Sequence, residues 1–236
     1  MNKLILTMCG VFMALATASC GNYPTPIESA WDIRMAKQGI TDITIRRLPL
    51  EDYPRLAKFP KLKSVGLENI TGAEGATDAK LQALAHLPFT NLTGISMLNS
   101  RAVTDRGIAA LTTFSSLRQL QLEGTSITDE ACNIMTRQMH FSGRNSGINV
   151  ANCPGITFKG LQLLATSDME GIGFSIENLS GPQVIELIES MNKITWCEIV
   201  DTQRTLDAET IKARGLTNGV KVVVLPKGAL QLIPNR

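Results

Sequence analysis

The sequence has little of what most catalytic or metal sites need. It contains two histidines, His86 and His140, and five cysteines that form no CxxC pair. Zinc-ligand spacing and paired redox thiols are therefore missing, and we expect no metal, no cofactor and no catalytic constellation. Aromatic residues make up only 5% of the chain, so a groove of stacking rings for sugars or bases is not expected either.

The chain also lacks a strong charge of one sign. Its 23 basic and 21 acidic residues leave a net charge of +2, too small to hold a phosphate backbone, so nucleic acid is not an expected partner. With 44% apolar residues in 236, however, the chain is long enough and apolar enough to bury a substantial core.

The first twenty residues have the features of an export signal. Lys3 precedes an apolar run from Leu4 to Ala18, which is shorter than the roughly 20 residues that cross a bilayer and is followed at once by polar Gly21. We therefore expect residues 1–19 to be removed after export rather than to span a membrane.

The end of this segment, Thr17-Ala18-Ser19-Cys20, resembles the lipobox of bacterial lipoproteins. The resemblance implies that Cys20 becomes a lipid-bearing first residue that attaches the chain to a membrane. Because position 21 is not aspartate, the resemblance also implies the outer membrane. Thr17 stands where the motif usually has an aliphatic residue, so ordinary signal cleavage near Ser19 is the alternative.

The segments flanking the body are expected to be a tether and two caps. Pro24 and Pro26 fix φ and lack an amide donor, which favours a stiff tether over residues 20–26 that neither continues a helix nor pairs in a sheet. Apolar residues from Ile27 to Met35 predict an amphipathic helix in an N-terminal cap over residues 27–39, and residues 226–236 are expected to form a C-terminal cap.

The body of the chain is an internal repeat of the form L-x-x-L-x-L with a mean step of roughly 26 residues. Its eight copies open at Ile40, Leu62, Leu92, Leu117, Asn145, Gly171, Ile194 and Val220. The fourth and sixth positions are apolar in every copy, the last pair being Val223 and Leu225. Alternation of this kind predicts short strands whose alternate side chains are buried only by stacking on the next copy.

The second half of several copies predicts a capped helix. Thr-Asp pairs at Thr77, Thr104 and Thr128 precede apolar residues at helical spacing, and such oxygens can accept from the free N–H groups of a first turn. Two copies depart from the pattern, through an insertion over 72–76 and through Ser180-Gly181-Pro182, and both are expected to loop.

The copies that start at Leu117 and Asn145 resemble the cysteine-containing, ribonuclease-inhibitor-like class of leucine-rich repeats. With the lipobox, the chain is similar to a bacterial leucine-rich repeat lipoprotein. The resemblance implies an α/β solenoid of about eight repeats over residues 40–225, with a parallel concave sheet and convex helices. It implies little about function, because such repeats serve many partners.

The inner face of this sheet is the expected binding surface. Its polar, charged and aromatic members are the candidate partner-binding residues: Arg46, Arg47, Gln121, Glu123, Asn149, Glu177, Trp196 and Glu198. Ile172, Val222 and Val224 are expected to add an apolar patch at its carboxyl end. Two alternatives remain: a register slip of one residue would bury Trp196, and the face could be a solvated sheet with no strong partner.

The leading hypothesis is a non-enzymatic protein-binding module with a monomeric body and an unknown protein partner. A structural envelope scaffold is the second, and a repeat-scaffold enzyme acting on polysaccharide is the third, since the inner face offers only the spaced carboxylates Glu68, Glu123 and Glu177. Cys132, Cys153 and Cys197 are interpreted as core residues, although a Cys132–Cys153 disulfide is conceivable in an exported protein.

Overall fold

The computed structural model describes residues 24–67, 75–141, 143–201, 203 and 205–226. The predicted export signal, Cys20, Glu68 and nearly all of the predicted C-terminal cap lie outside these ranges. Nothing in the structure therefore bears on them.

A single parallel sheet of nine strands runs the length of the described chain, and its strands follow one another in sequence order. The strands are β1 (Thr25–Ile27), β2 (Asp42–Ile45), β3 (Ser64–Gly66), β4 (Gly94–Ser96), β5 (Gln119–Gln121), β6 (Gly147–Asn149), β7 (Gly171–Ser175), β8 (Trp196–Asp201) and β9 (Lys221–Pro226). The predicted α/β solenoid with a parallel sheet is confirmed.

Helical segments connect successive strands and cover one side of the sheet. The α-helices are α1 (Ala30–Met35), α2 (Asp78–Ala85), α3 (Asp105–Ala110), α4 (Asp129–Gln138), α5 (Phe158–Ala165), α6 (Gly181–Ser190) and α7 (Ala208–Thr217). Two 3-10 helices, Leu50–Lys58 and Leu111–Thr113, fill the same role in the first and third repeats. Among the described residues no helix is both long and apolar enough to cross a bilayer.

The core lies between the sheet and the helices, as the repeat predicts. Ile95, Leu120 and Ile148 are direct neighbours on consecutive strands, and all three are buried. Each buried side chain of this size contributes about 1.5–3 kcal/mol of transfer free energy. Because each strand here has only three residues, this shared core rather than the strand itself holds a repeat in place.

The predicted Thr-Asp helix starts are confirmed. Thr77, Thr104 and Thr128 are N-caps whose hydroxyl oxygens accept from first-turn amides. The following aspartates have a further role that the sequence did not predict, because their carboxylates accept from the capping threonine of the next repeat. The carboxylate of Asp105, for example, accepts from Thr128 N at 2.7 Å.

The prediction of an unpaired tether over residues 20–26 is wrong at its carboxyl end. Thr25 and Pro26 belong to β1, which pairs in parallel with β2. Strand β1 forms the edge of the described sheet, and an edge strand has one side on which a proline needs no amide donor. Ile27 consequently lies in a strand rather than in the predicted helix, which begins at Ala30.

The predicted frame of the sixth repeat is shifted by two residues. Ile148 pairs with Ile172 rather than with Phe174, so this copy opens at the buried Met169 instead of at Gly171. The expected loop at Ser180 is also wrong, because Ser180 caps α6 and its backbone amide donates to the Gln183 side chain at 2.8 Å.

The predicted frame of the last repeat is shifted by one residue, which exchanges the two faces of β9. Cys197 pairs with Val222, and Val222 is only 7% exposed, whereas Val223 pairs with Glu198 on the open face. The expected inner-face patch of Ile172, Val222 and Val224 is therefore wrong, since all three pack in or against the core.

Candidate functional site on the concave face

The sheet face opposite the helices is called the concave face here, and the strand register arranges its side chains in rows. The central row contains one residue from each strand after β1: Thr44, Gly66, Ser96, Gln121, Asn149, Gly173, Glu198 and Val223. Neighbouring strands lie about 4.8 Å apart, so adjacent members of this row touch or nearly touch.

The middle of the central row is polar and closely packed. Asn149 is only 8% exposed; its Oδ1 accepts from Ala151 N at 2.9 Å, and its amide covers Gly173, where an added Cβ would come within 2.9 Å of the same oxygen. The Nε2 of the neighbouring Gln121 is buried and has no hydrogen-bond partner among the described residues. The Asn149 side chain thus hydrogen-bonds to the backbone beside its own strand, whereas Gln121 Nε2 donates to none of the described residues.

The carboxyl end of the face has a different character. In β8 the residues Trp196, Glu198 and Val200 are partly exposed and alternate with buried residues that face the core. On β9, Val223 lies beside Glu198, and Leu225 lies beside Val200. We call these five residues, Trp196, Glu198, Val200, Val223 and Leu225, the carboxyl-end patch.

This arrangement settles the two alternatives for Trp196. The burial pattern of β8 places Trp196 on the same face as Glu198, and the buried residue is its neighbour Cys197. The register therefore does not slip here, and Trp196 is part of the concave surface. Lys221 lies beside it on β9 and is exposed.

Two carboxylates on this face are shifted toward their neutral forms. Burial, with a smaller contribution from the negative charge of Glu123, raises the pKa of Glu198 to about 7. Burial also raises the pKa of Glu123, against the opposing effect of a 2.9 Å hydrogen bond that Asn152 Nδ2 donates to its Oε1. Within the part of the chain that the structure describes, neither carboxylate forms an ion pair.

The remaining predicted site residues lie elsewhere. Glu177 was assigned to an inner row, but the corrected frame of the sixth repeat puts Ser175 in that row and moves Glu177 to the exposed segment after β7. Arg46 and Arg47 are exposed just after β2, at the opposite end of the sheet, and Arg46 lies 3.6 Å from Glu28. The predicted set therefore does not form one site.

A groove of about 580 Å³ was missed by the sequence reasoning. It lies at the carboxyl ends of β4–β7, where Leu161 and Phe174 are buried beneath the exposed residues Asn152 and Glu177. It is built from the turns of four repeats, so no local sequence pattern could have indicated it.

The three cysteines of the body are buried and free. Burial raises the pKa of the thiols of Cys132, Cys153 and Cys197, which disfavours the reactive thiolate. Their interpretation as core residues is confirmed. In the described ranges no three His, Cys, Asp or Glu side chains come together as metal ligands.

No family model matches the chain, and no curated protein matches its sequence. Among solved structures, the chain is similar to actin-binding site 2 of leiomodin-1, with 14% identity and a TM-score of 0.37 over 72% of this chain and 87% of the other. It is also similar to the complex of Rad7 and Elc1 from yeast, with 9% identity and a TM-score of 0.40 over 82% of this chain and 65% of the other.

Proposed function

We propose that the protein is a non-enzymatic protein-binding module, exported to the bacterial envelope and held in the outer membrane by lipid on Cys20. In this proposal the solenoid presents its concave face to a protein partner. The observation that carries it is the carboxyl-end patch, which combines a partly exposed tryptophan, three partly exposed aliphatic side chains and an unpaired carboxyl group on one sheet surface.

The composition of the patch favours a protein over other ligands. Tryptophan anchors surrounded by apolar contacts dominate the binding energy of many protein interfaces. The three aliphatic residues extend the contact surface next to Trp196, and they lie on strands, which hold their positions better than loops would. A single ring does not form the aromatic ladder that a polysaccharide groove needs.

In-cell photocrosslinking tests the binding proposal. A photoreactive amino acid placed at Val200 is expected to capture a protein in intact cells, whereas the same group at Glu130, an exposed residue at the start of α4, is not. Substituting Trp196 by alanine is expected to reduce the capture at Val200. Equal capture at both positions, or none at Val200, would contradict a concave binding site.

The anchor is supported by the resemblance of Thr17–Cys20 to a lipobox, and it needs its own experiment. Metabolic labelling with palmitate is expected to mark the wild type and to leave Cys20→Ala unlabelled. Labelled protein should fractionate with outer membranes. An unlabelled wild type would leave ordinary signal cleavage as the better account, and label that persists in the alanine variant would place the lipid on a residue other than Cys20.

An envelope scaffold is the second candidate, and the last repeat supplies the observation that favours it. Leu216 on α7 is 73% exposed, and β9 ends the described sheet with one unpaired edge. Sedimentation over a range of concentrations discriminates the two functions. Assembly that Leu216→Lys abolishes would favour the scaffold, and a monomer at every concentration would favour the binding module.

A further inference from the structure

We propose that the carboxyl-end patch recognises a basic side chain, arginine or lysine, on an extended segment of the partner protein. Glu198 is the ion-pair acceptor, and the ring of Trp196 with the side chains of Val200 and Val223 packs against the stem of the bound residue. This inference rests on the proposed function and specifies the chemistry of its partner.

The surroundings of Glu198 fit a cation with a long apolar stem. On one side its strand neighbour is Gly173, which has no side chain, and on the other it is Val223. Along β8 the nearest residues on the same face are Trp196 and Val200. Arginine and lysine carry charge at the end of an apolar chain, so they can satisfy the carboxylate and cover its apolar neighbours together.

The charges around the patch favour a positive ligand. Glu123 reaches the same face from the turn after β5, and its charge acts on Glu198. Asp201 belongs to the same strand but is buried on the core side, where it accepts from Leu206 N at 2.9 Å. Lys221 is the facing cation, and it forms no ion pair with Glu198 or with any other described residue.

The ionised form of Glu198 is costly in the free protein, because its surroundings replace water and none of the described residues donates a hydrogen bond to its carboxylate. A partner that brings a guanidinium or ammonium group removes that cost. A neutral or acidic partner segment would leave the cost in place or add to it. Complementary charge at a partly desolvated carboxylate therefore selects the partner.

Peptide binding to the purified full chain tests the inference. The probes are capped alanine-threonine octapeptides with a single arginine at each position in turn, and the same peptides with neutral citrulline in its place. At pH 8 the wild type is expected to bind the best arginine peptide about tenfold or more tighter than its citrulline counterpart. The variant Glu198→Gln should show no preference, and the matched control Glu130→Gln should keep it.

The pH dependence gives a second readout. As Glu198 takes up its proton, the affinity of the wild type for the best arginine peptide should fall by about sevenfold or more between pH 8 and pH 5.5, and that of Glu198→Gln should change little. A preference retained by Glu198→Gln, equal binding of the arginine and citrulline peptides, or no binding up to about 1 mM peptide would overturn the inference.

Failure here and failure of the proposed function give different results. If Glu198→Gln leaves the photocrosslink from Val200 intact, the protein still binds a partner on its concave face, but not through a basic side chain. If no crosslink forms in the wild type either, the binding module itself is contradicted.

Discussion

The middle repeats and the carboxyl-terminal repeats are joined by different interactions. In the middle, side chains connect one helix start to the next: Asp78 accepts from Thr104, Asp105 from Thr128, and Asp129 from Thr157. We call these three contacts the aspartate ladder. After α5 the N-terminal caps form hydrogen bonds only within their own helices, as when Thr210 donates to the carboxylate of its own cap, Asp207, at 2.6 Å.

Strand length shows the opposite trend, because the strands are longer where the aspartate ladder is absent. Strands β3–β6 have three residues each, whereas β7, β8 and β9 have five, six and six. The ladder ends because Phe158 occupies the position at which α4 has Asp129, and an aromatic ring cannot accept from the next cap. The comparison shows that one solenoid can connect its repeats through side-chain caps or through longer strands.

The largest expected effect comes from breaking the ladder. In Asp129→Ala, Thr157 loses the carboxylate that accepts from both its backbone N–H, at 2.8 Å, and its hydroxyl. We expect a loss of about 2 kcal/mol in the free energy of unfolding, because two charge-assisted hydrogen bonds disappear at a partly exposed site. Urea denaturation measures it.

The control for this change is the adjacent Glu130→Ala. Its side chain is exposed and accepts a long hydrogen bond from Asn133 Nδ2 at 3.4 Å, so the expected loss is below about 0.5 kcal/mol. Equal losses for both variants would mean that the ladder does not couple the middle repeats. Hydrogen exchange should also accelerate in α5 of Asp129→Ala, because the partner threonine caps that helix.

The second prediction concerns the pH dependence of the carboxyl-terminal repeats. The folded pKa of Glu198, about 7, lies above the value of about 4.3 in an unfolded chain, so the folded state holds the extra proton between these values. Its contribution to stability is complete below about pH 4.3 and is lost as pH rises through 7.

The variant Glu198→Gln removes this titration. We expect it to be more stable than the wild type by about 1–2 kcal/mol at pH 8 and nearly equal to it at pH 4.5, allowing for the residual solvation of the side chain. Thermal or urea unfolding at both pH values measures the difference. If the variant were less stable than the wild type at pH 8, the inference that the folded state favours the neutral form of Glu198 would be wrong.

The sequence was sufficient for the fold because two independent signals agreed. Alternating apolar residues recurred about every 26 residues, and threonine caps followed them, so strand and helix were fixed by different side chains. The predicted strand register was wrong in the two repeats whose apolar residues fit more than one frame. In the sixth repeat Met169, Ile172 and Phe174 fill one frame and Phe174 and Ile176 fit a second one that opens at Gly171, and in the last repeat Val222–Leu225 are apolar without a break.

The candidate site was less predictable, because its chemistry depends on distant neighbours. The sequence placed Trp196, Glu198, Gln121 and Glu123 on the concave face. It could not show that Val223 lies beside Glu198, since that depends on the register of β9. Nor could it show that Glu123, from the turn after a strand three positions away, acts on the same carboxyl group.

The third prediction compares a self-contained cap with the ladder. Asp207 accepts from Glu209 N and Thr210 N of its own helix, and no described residue of another repeat depends on it. Asp207→Ala should therefore cost about 1 kcal/mol, the usual value for a helix cap. Hydrogen exchange should accelerate in α7 alone. Faster exchange in α6 as well would show that the terminal caps are coupled after all.

The smallest effect is expected from the ion pair that joins α6 to α7. Arg214 lies 3.5 Å from Glu189 near the carboxyl ends of the two helices, and both side chains are more than half exposed. Water and salt screen such a pair, so Glu189→Gln should change the free energy of unfolding by less than about 0.5 kcal/mol, and less still at high salt. A loss near that of Asp129→Ala would mean that this ion pair replaces the ladder. A negligible loss would leave three connections between the last repeats: the longer strands β7–β9, the core beneath them, and the hydrogen bonds that Asn218 Nδ2 donates to the carbonyls of Ile188 and Met191.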